Sequence, residues 1–357
     1  MNFETFFSDI GVKVPDNCFE KTLESAVSEY SADGVFFLND KYIDYVNSFC
    51  DCFSNCITQV KEAAENLKKR ESLAKYALFV YRAMTQRDLF IQHLEEFEFP
   101  YGEECELRFF PFLVLLPAIP DIFADLEKRN VPCDVIATTL RQFEDCIYLT
   151  KERTGHLGYL KRYFDHMQRY IDGTILNIGR LRFQMVPRLM SNFAVLENHL
   201  GERVVVDKKI GFSDTDYPKS EWKTIFEKGD SVLSVHIPNK GALTSEACEE
   251  SYCRAKEIFT KSYPEFNFKA FYCHSWLLDP QLREFLSEHS NILAFQKKYT
   301  FYFGKTQGND VFNFVFKTNY EKDMDFKCLS EDTSLQRALK NHYINGKQIY
   351  EYEAVFF

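Results

Sequence analysis

The chain has 357 residues, more than one ordinary core requires, so two domains are expected. Apolar residues make up 45% and charged residues 27%, with 36 Phe and 20 Tyr, which supports substantial cores and excludes extensive disorder. A formal net charge of −10 argues against a nucleic-acid partner, which needs a basic stripe, but leaves room for a small anion in a locally positive pocket.

The N-terminus, Met1-Asn-Phe-Glu-Thr-Phe-Phe7, has neither a basic region nor a signal-type apolar core. Eleven cysteines, an odd number scattered along the chain, suit free thiols in a reducing cytoplasm, which is the expected location. Residues 1 to about 165 read as helical. Phe19–Tyr30 has apolar positions at helical spacing, and Asp40–Leu67 carries Tyr42, Val46, Phe49, Phe53, Ile57 and Val60 in a regular stripe. Within it Cys50, Cys52 and Cys56 cluster. Zinc would want paired Cys-x-x-Cys elements and a fourth ligand, and the other reading is small buried residues on a helix.

Ser72–Leu94, Asp121–Arg129 and Val135–Lys151 continue the helical series, with Pro100, Pro117, Pro120 and Pro132 as punctuation. The run Phe109–Ile119 is too short for a bilayer and carries two prolines, so no membrane partner is expected. Asp121, Glu144 and Asp145 are read as solvated carboxylates on helices.

Near Ile171-Asp-Gly-Thr174 the texture changes to short β-prone runs. These are Ile175–Met185, Val204–Asp207, Val232–Ile237, Phe268–Leu278, Tyr299–Phe303, Val311–Lys317 and Gln348–Phe357. Helices fall at 245–262, around 280–297 and at Thr333–Asn341. The expected fold is therefore α+β, with a helical domain over 1–168 and a mixed α/β domain over 169–357. No flexible linker separates them.

Most of the chemistry lies in Val232–Tyr299. A strand, a turn, a helix and a second strand bring two parallel strands together, and such units hold ligands at the strands' carboxyl ends. Alternation puts Val232, Ser234 and His236 on one side of the first strand; in the second, Tyr272, His274 and Trp276 share a face and Cys273 lies opposite. His236 and His274 then sit near the ends of strands that could be adjacent. Either imidazole suits a general base, or a satisfied structural histidine. In the turn, Thr244 or Ser245 can cap the helix, Gly241 permits close backbone approach and Lys240 adds charge. Glu246, Glu249 and Glu250 complement the helix dipole there and would repel a diphosphate unless they face away. Arg180 and Arg182 flank Leu181, so both project to one face, either in a salt-bridged surface or as an anion contact.

His236-Ile-Pro238, Cys273-His-Ser-Trp-Leu-Leu-Asp-Pro280, Ser290-Asn-Ile292 with Phe295-Gln296, and Thr333-Ser-Leu-Gln-Arg-Ala338 together resemble a bacterial family of acyltransferase-like proteins. Its members join a helical N-acyltransferase-type N-terminal domain to a C-terminal domain similar to the GNAT superfamily of N-acetyltransferases. Ile178–Gln184 and Asp230–Pro238 also look like that family's strands.

The resemblance implies acetyl-coenzyme A or another acyl-coenzyme A as co-substrate. Its contacts would come from Ile237, from the loop Asn239, Lys240, Gly241, Ala242, Leu243 and Thr244, and from Asn291 at the start of a later helix. It further implies that Val232–Ile237 and the following strand splay to admit the thioester. Tyr299 stands one position beyond the tyrosine that often protonates the leaving thiolate. Pro238 stands where the family's loop has Gln or Arg, and Leu243 where it has a second small residue. The function implied is direct transfer of an acyl group, acetyl in the first instance, to a small-molecule or peptide amine, with His236 or His274 as base and Tyr299 as acid. The alternatives are a non-catalytic ligand-binding or regulatory protein on the same fold, and an interaction scaffold.

Overall fold

The structure, a computed structural model, describes residues 3–13, 15–31, 34–207 and 216–357. The chain divides into two units, Met1–Thr174 and Ile175–Phe357. The first is helical: α1 (Phe3–Ile10), α2 (Glu20–Glu29), α3 (Asp40–Asn47), α4 (Ile57–Lys68), α5 (Glu71–Thr85), α6 (Arg87–Gln92), α7 (Cys105–Leu115), α8 (Ala118–Lys128), α9 (Cys133–Leu140), α10 (Gln142–Thr154) and α11 (Lys161–Ile171).

Several helical expectations change here. The stripe over Asp40–Leu67 is two helices, because Cys50 and Asp51 adopt left-handed backbone (φ 64° and 48°), which an L-residue helix cannot propagate. The cysteine cluster sits in that break. Cys52 and Cys56 are buried and donate to the carbonyls of Val46 and Phe53, so they serve packing. The apolar run is longer than expected. Cys105–Lys128 is long and apolar enough to cross a bilayer, yet 67% of its most apolar window is buried in the structure. Phe110 stacks on Tyr76 and Phe112 meets Phe53 edge-on, so that apolarity serves the helical core. Glu144 is buried rather than solvated, and it accepts from the main-chain and side-chain amides of Asn55 at 3.0 and 3.1 Å.

The second unit holds strands β1 (Ile175–Ile178), β2 (Leu181–Val186), β3 (Phe193–Asn198), β4 (Arg203–Asp207), β5 (Trp222–Glu227), β6 (Val232–His236), β7 (Ala270–Ser275), β8 (Phe301–Gln307) and β9 (Tyr350–Phe356). Its helices are α12 (Ser245–Ser262), α13 (Asn291–Lys298), α14 (Asp310–Phe314) and α15 (Ser334–Ile344). Six strands form one sheet in the order β1-β2-β6-β7-β9-β8, and β4-β3-β5 form a second. In the larger sheet only β6 and β7 are parallel neighbours, joined through α12.

Each face of the larger sheet has its own cover. Val232, Ala270 and Val355 cluster with Phe193, Val195 and Phe226 of the smaller sheet. On the other face Phe183, Phe271 and Phe356 pack around Tyr252 of α12. The expected strand Val311–Lys317 is instead α14 and the residues after it, where Phe312 turns onto Tyr343 of α15 at 4.9 Å. The expected helix over 280–297 is a short 3₁₀ turn at Pro280–Glu284 followed by α13. Strand β7 ends at Ser275, so Trp276 leaves the face of Tyr272 and His274 and enters a buried 3₁₀ turn.

Two of the quoted motifs carry architecture. Buried Asp279 accepts from the backbone N–H groups of Gln281 and Tyr350 at 2.9 and 2.7 Å, and Gln296 donates to the carbonyls of Leu277 and Asp279. Together they clamp the turn after β7 to α13 and β9. Thr333 and Gln336 form a capping box at the start of α15.

Candidate functional site

Strands β6 and β7 pair in register only at Val232 with Ala270, Leu233 with Phe271 and Ser234 with Tyr272. Beyond that point each keeps its outer partner. Val235 and His236 stay paired with Phe183 and Arg182 of β2, and Cys273, His274 and Ser275 with Ala354, Glu353 and Tyr352 of β9. The two carboxyl ends are thus held apart by the strands outside them. This leaves a wedge whose inner main-chain edges lie outside the ladder.

The wedge has two chemically different sides. His236 and His274 project from its two arms on the face that carries Tyr272, Glu351 and Glu353. His236 is half-buried, with Nε2 3.0 Å from Oε1 of Gln184. His274 is exposed, with Nε2 3.1 Å from the Thr306 hydroxyl and 3.6 Å from the Glu351 carboxylate. Burial, then nearby Asp310, raises the Glu351 carboxyl above its usual range, and His274 pulls it back. Glu353 accepts from the Tyr272 hydroxyl at 3.0 Å and from the Ser191 hydroxyl. Both imidazoles therefore stand beside the wedge, each bonded on its outer flank.

Tyr299 lies on the opposite, helix-covered side. It is buried, its hydroxyl is 3.1 Å from that of Tyr252, and its ring packs on Phe295 and Phe356. Burial, then the neighbouring Tyr252 and the Cys273 thiol, push its phenol well above the usual tyrosine range. Tyr252 is raised as well, chiefly by burial, and the buried Cys273 thiol rises to about 12. The structure thus brings His236 and His274 to one face of the wedge and Tyr299 to the other.

The loop after β6 leads directly into α12. Ile237 and Pro238 are half-buried, Asn239, Lys240, Gly241 and Ala242 are exposed, and Leu243 turns inward. Gly241 has φ +73° with open space where a Cβ would stand, so the left-handed turn is what demands glycine there. Thr244 is the N-cap, its hydroxyl accepting from the Ala247 N–H at 3.3 Å. Of the acidic residues that follow, Glu249 is held by Lys298 at 2.7 Å, while Glu246 and Glu250 are exposed. Asn291 opens α13 and is exposed. It stands about 10 Å along that helix from Lys298, where α13 meets α12.

Glu351, Glu353 and Tyr252 carry no sign of the site in their own sequence, and the partners of Arg180 are set by the fold. Glu351 and Glu353 alternate in Tyr350-Glu-Tyr-Glu-Ala354, which marks one strand face, but their place beside His274 follows from the β7–β9 pairing. Tyr252 is one aromatic among many until α12 sets it against Tyr299. Arg180 donates from Nε to the carbonyl of Ala242 in the loop at 3.0 Å, and from its backbone N–H to the Ser251 hydroxyl at 2.8 Å.

Comparison with known proteins agrees with this architecture. Residues 175–356 match the family described as GNAT-like C-terminal domain. No curated protein matches the sequence. Among solved structures, the chain is similar to an acyltransferase in complex with decanoyl-CoA and teicoplanin, at 19% identity and a TM-score of 0.71, covering 99% of both chains. It is also similar to an acyltransferase in complex with decanoyl-CoA, at 20% identity and TM-score 0.62, covering 89% of this chain and 88% of that one. A third, an acyltransferase mutant in complex with octanoyl-CoA, gives 19% and 0.69 with 99% of both chains covered.

Proposed function

Since the chain belongs to the family defined by a GNAT-like C-terminal domain, we propose that it is an acyl-coenzyme A-dependent N-acyltransferase. The observation that carries this reading is the parting of β6 and β7 beyond Ser234 and Tyr272, with imidazoles on one side and a protonated phenol on the other. A thioester seated in the wedge would present its carbonyl to the histidine side and its sulfur to Tyr299. The amine nitrogen bonds to the carbonyl carbon as the carbon–sulfur bond breaks. His236 or His274 takes the amine proton, and Tyr299 returns one to the coenzyme A thiolate. Strand amides at the wedge would polarise the carbonyl. The loop Asn239–Thr244, led by Ile237, would follow the cofactor toward its diphosphate, with Asn291 as a further contact.

The acceptor is read as a small-molecule or peptide amine. Structural neighbours bound to decanoyl-CoA, octanoyl-CoA and teicoplanin support both halves of this reading. The superfamily resemblance points to acetyl and the neighbours to longer chains, so the donors to test run from acetyl to decanoyl.

The test follows thiol release from acetyl-, octanoyl- and decanoyl-CoA with a panel of amines, for the wild type and for His236→Ala and His274→Ala. The variant lacking the base should lose about 10²- to 10⁴-fold in kcat while keeping its donor affinity. Thermal stabilisation by acyl-CoA without thioester loss would mark a binding protein instead. Neither stabilisation nor turnover with any donor would sink the proposal.

A further inference from the structure

We propose that Arg180 and Arg182 form the anion site that the loop after β6 lacks, and that they take phosphate oxygens of the nucleotide portion of acyl-coenzyme A. The inference rests on the acyltransferase reading and extends it. Pro238 has no N–H to donate and no charge, and within Asn239–Thr244 the only cation is Lys240. Charge for a diphosphate must come largely from elsewhere in the fold.

The hairpin of β1 and β2 stands in the right place. Because β2 runs antiparallel to β6 with Arg182 opposite His236, the start of β2 lies beside the point where β6 becomes the loop. Arg180, in the hairpin turn, is fixed to that loop through its Nε bond to Ala242 and to α12 through Ser251. The remainder of its guanidinium is left over. Nη1 of Arg180 and Nε of Arg182 are both buried without a hydrogen-bond partner among the described residues.

Burial lowers the Arg180 guanidinium from its ordinary value, the Cys248 thiol opposes that shift and the charge of Arg182 adds to it. Both guanidinium groups thus stand part-buried at the same end of β2, each with a donor unsatisfied. A buried, unpaired charge-bearing donor is costly, and a native fold keeps such an arrangement where an anion completes it. Guanidinium suits the task, since its planar fork matches two phosphate oxygens at once. Among the described residues neither arginine forms the ion pair that would be the ordinary use of such a pair.

Calorimetric titration of the full chain with coenzyme A, dephospho-coenzyme A and pantetheine, repeated for Arg182→Gln and Arg182→Lys, tests the proposal. Arg182 makes no hydrogen bond to the loop, so its loss reports on charge rather than loop shape. Wild-type protein should bind coenzyme A more tightly than pantetheine. Arg182→Gln should weaken coenzyme A binding about ten- to a hundredfold, the size of a lost charged hydrogen bond, and leave pantetheine unchanged. Arg182→Lys should recover part of the loss. Dephospho-coenzyme A following coenzyme A would place the contact at the diphosphate, whereas loss of the effect with it would place the contact at the 3′-phosphate.

Coenzyme A bound equally well by Arg182→Gln would overturn the arginine site while leaving the acyltransferase reading standing. Equal weakening for coenzyme A and pantetheine would also overturn it, as a general loosening of the wedge. Wild-type protein that binds neither ligand removes both readings.

Discussion

Tyr299 shows how position overrides residue type. In sequence it is a tyrosine one step away from where the family's acid stands; in the fold its hydroxyl reaches Tyr252 and lies near Cys273, on the helix side of the wedge. Burial and those neighbours raise its phenol, so it keeps its proton, as an acid must, well past the pH at which an exposed tyrosine begins to ionise. The prediction is that Tyr299→Phe lowers kcat about 10²-fold with donor binding retained. Wild-type activity should show no alkaline limb from this group up to about pH 10, the ordinary tyrosine value, because a raised pKa moves loss of the donor proton upward. An alkaline decline near pH 9 that Tyr299→Phe abolishes would refute the assignment. The histidines teach the converse lesson. Alternation alone put His236 and His274 on their faces, but nothing local disclosed Glu351, Thr306 or Gln184 as their partners, since each arrives from a different strand.

At the scale of elements, capping signals held, whereas the amphipathic stripe over Asp40–Leu67 was cut in two by the left-handed backbone at Cys50 and Asp51. Thr244 caps α12, the helix covers Ser245–Ser262 as its spacing predicts, and Thr333 with Gln336 boxes α15. Local signals also failed where tertiary contacts chose between two periods, as at Val311–Lys317, and where weakly patterned strands, β3 and β5, needed a neighbouring sheet to order them. The bulge in β8 is another feature set from outside. Gly304 has φ +55°, and a Cβ there would stand 2.5 Å from Oε1 of Glu353, whose carboxylate is already held by Tyr272 and Ser191. Gly304→Ala should therefore destabilise the protein by about 1–3 kcal/mol, through left-handed strain and displacement of Glu353. Urea unfolding measures it; an unchanged midpoint would show that the bulge and the carboxylate can both relax.

For the whole molecule, the thiols give a check on how the chain is packed. All eleven cysteines are free. Cys18, Cys133, Cys253 and Cys328 are exposed, whereas Cys52, Cys56, Cys146, Cys248 and Cys273 are buried. Among the buried ones, desolvation raises Cys56 and Cys273 to about 12, which removes the reactive thiolate at neutral pH. A colorimetric thiol titration should accordingly find Cys133, Cys253 and Cys328 fast and a buried class of five that reacts only on denaturation, with Cys50, Cys105 and Cys18 between them, the last because desolvation and Asp16 raise its thiol to about 11. Fast reaction of all eleven in native buffer would contradict this packing. The sequence by itself determined that a helical half precedes an α+β half, that α12 follows a strand and a glycine turn, and that two histidines occupy one strand face each. These follow from periods of 3.6 and 2.0 and from capping chemistry, which act over a few residues. Only the tertiary structure decided that β6 and β7 part after Ser234 and Tyr272, that Tyr299 meets Tyr252 across the helix side, and that Arg180 is pinned to the loop. Those depend on β2 and β9 pulling the two strands to opposite sides, and pairing between segments tens of residues apart leaves no local trace in the chain.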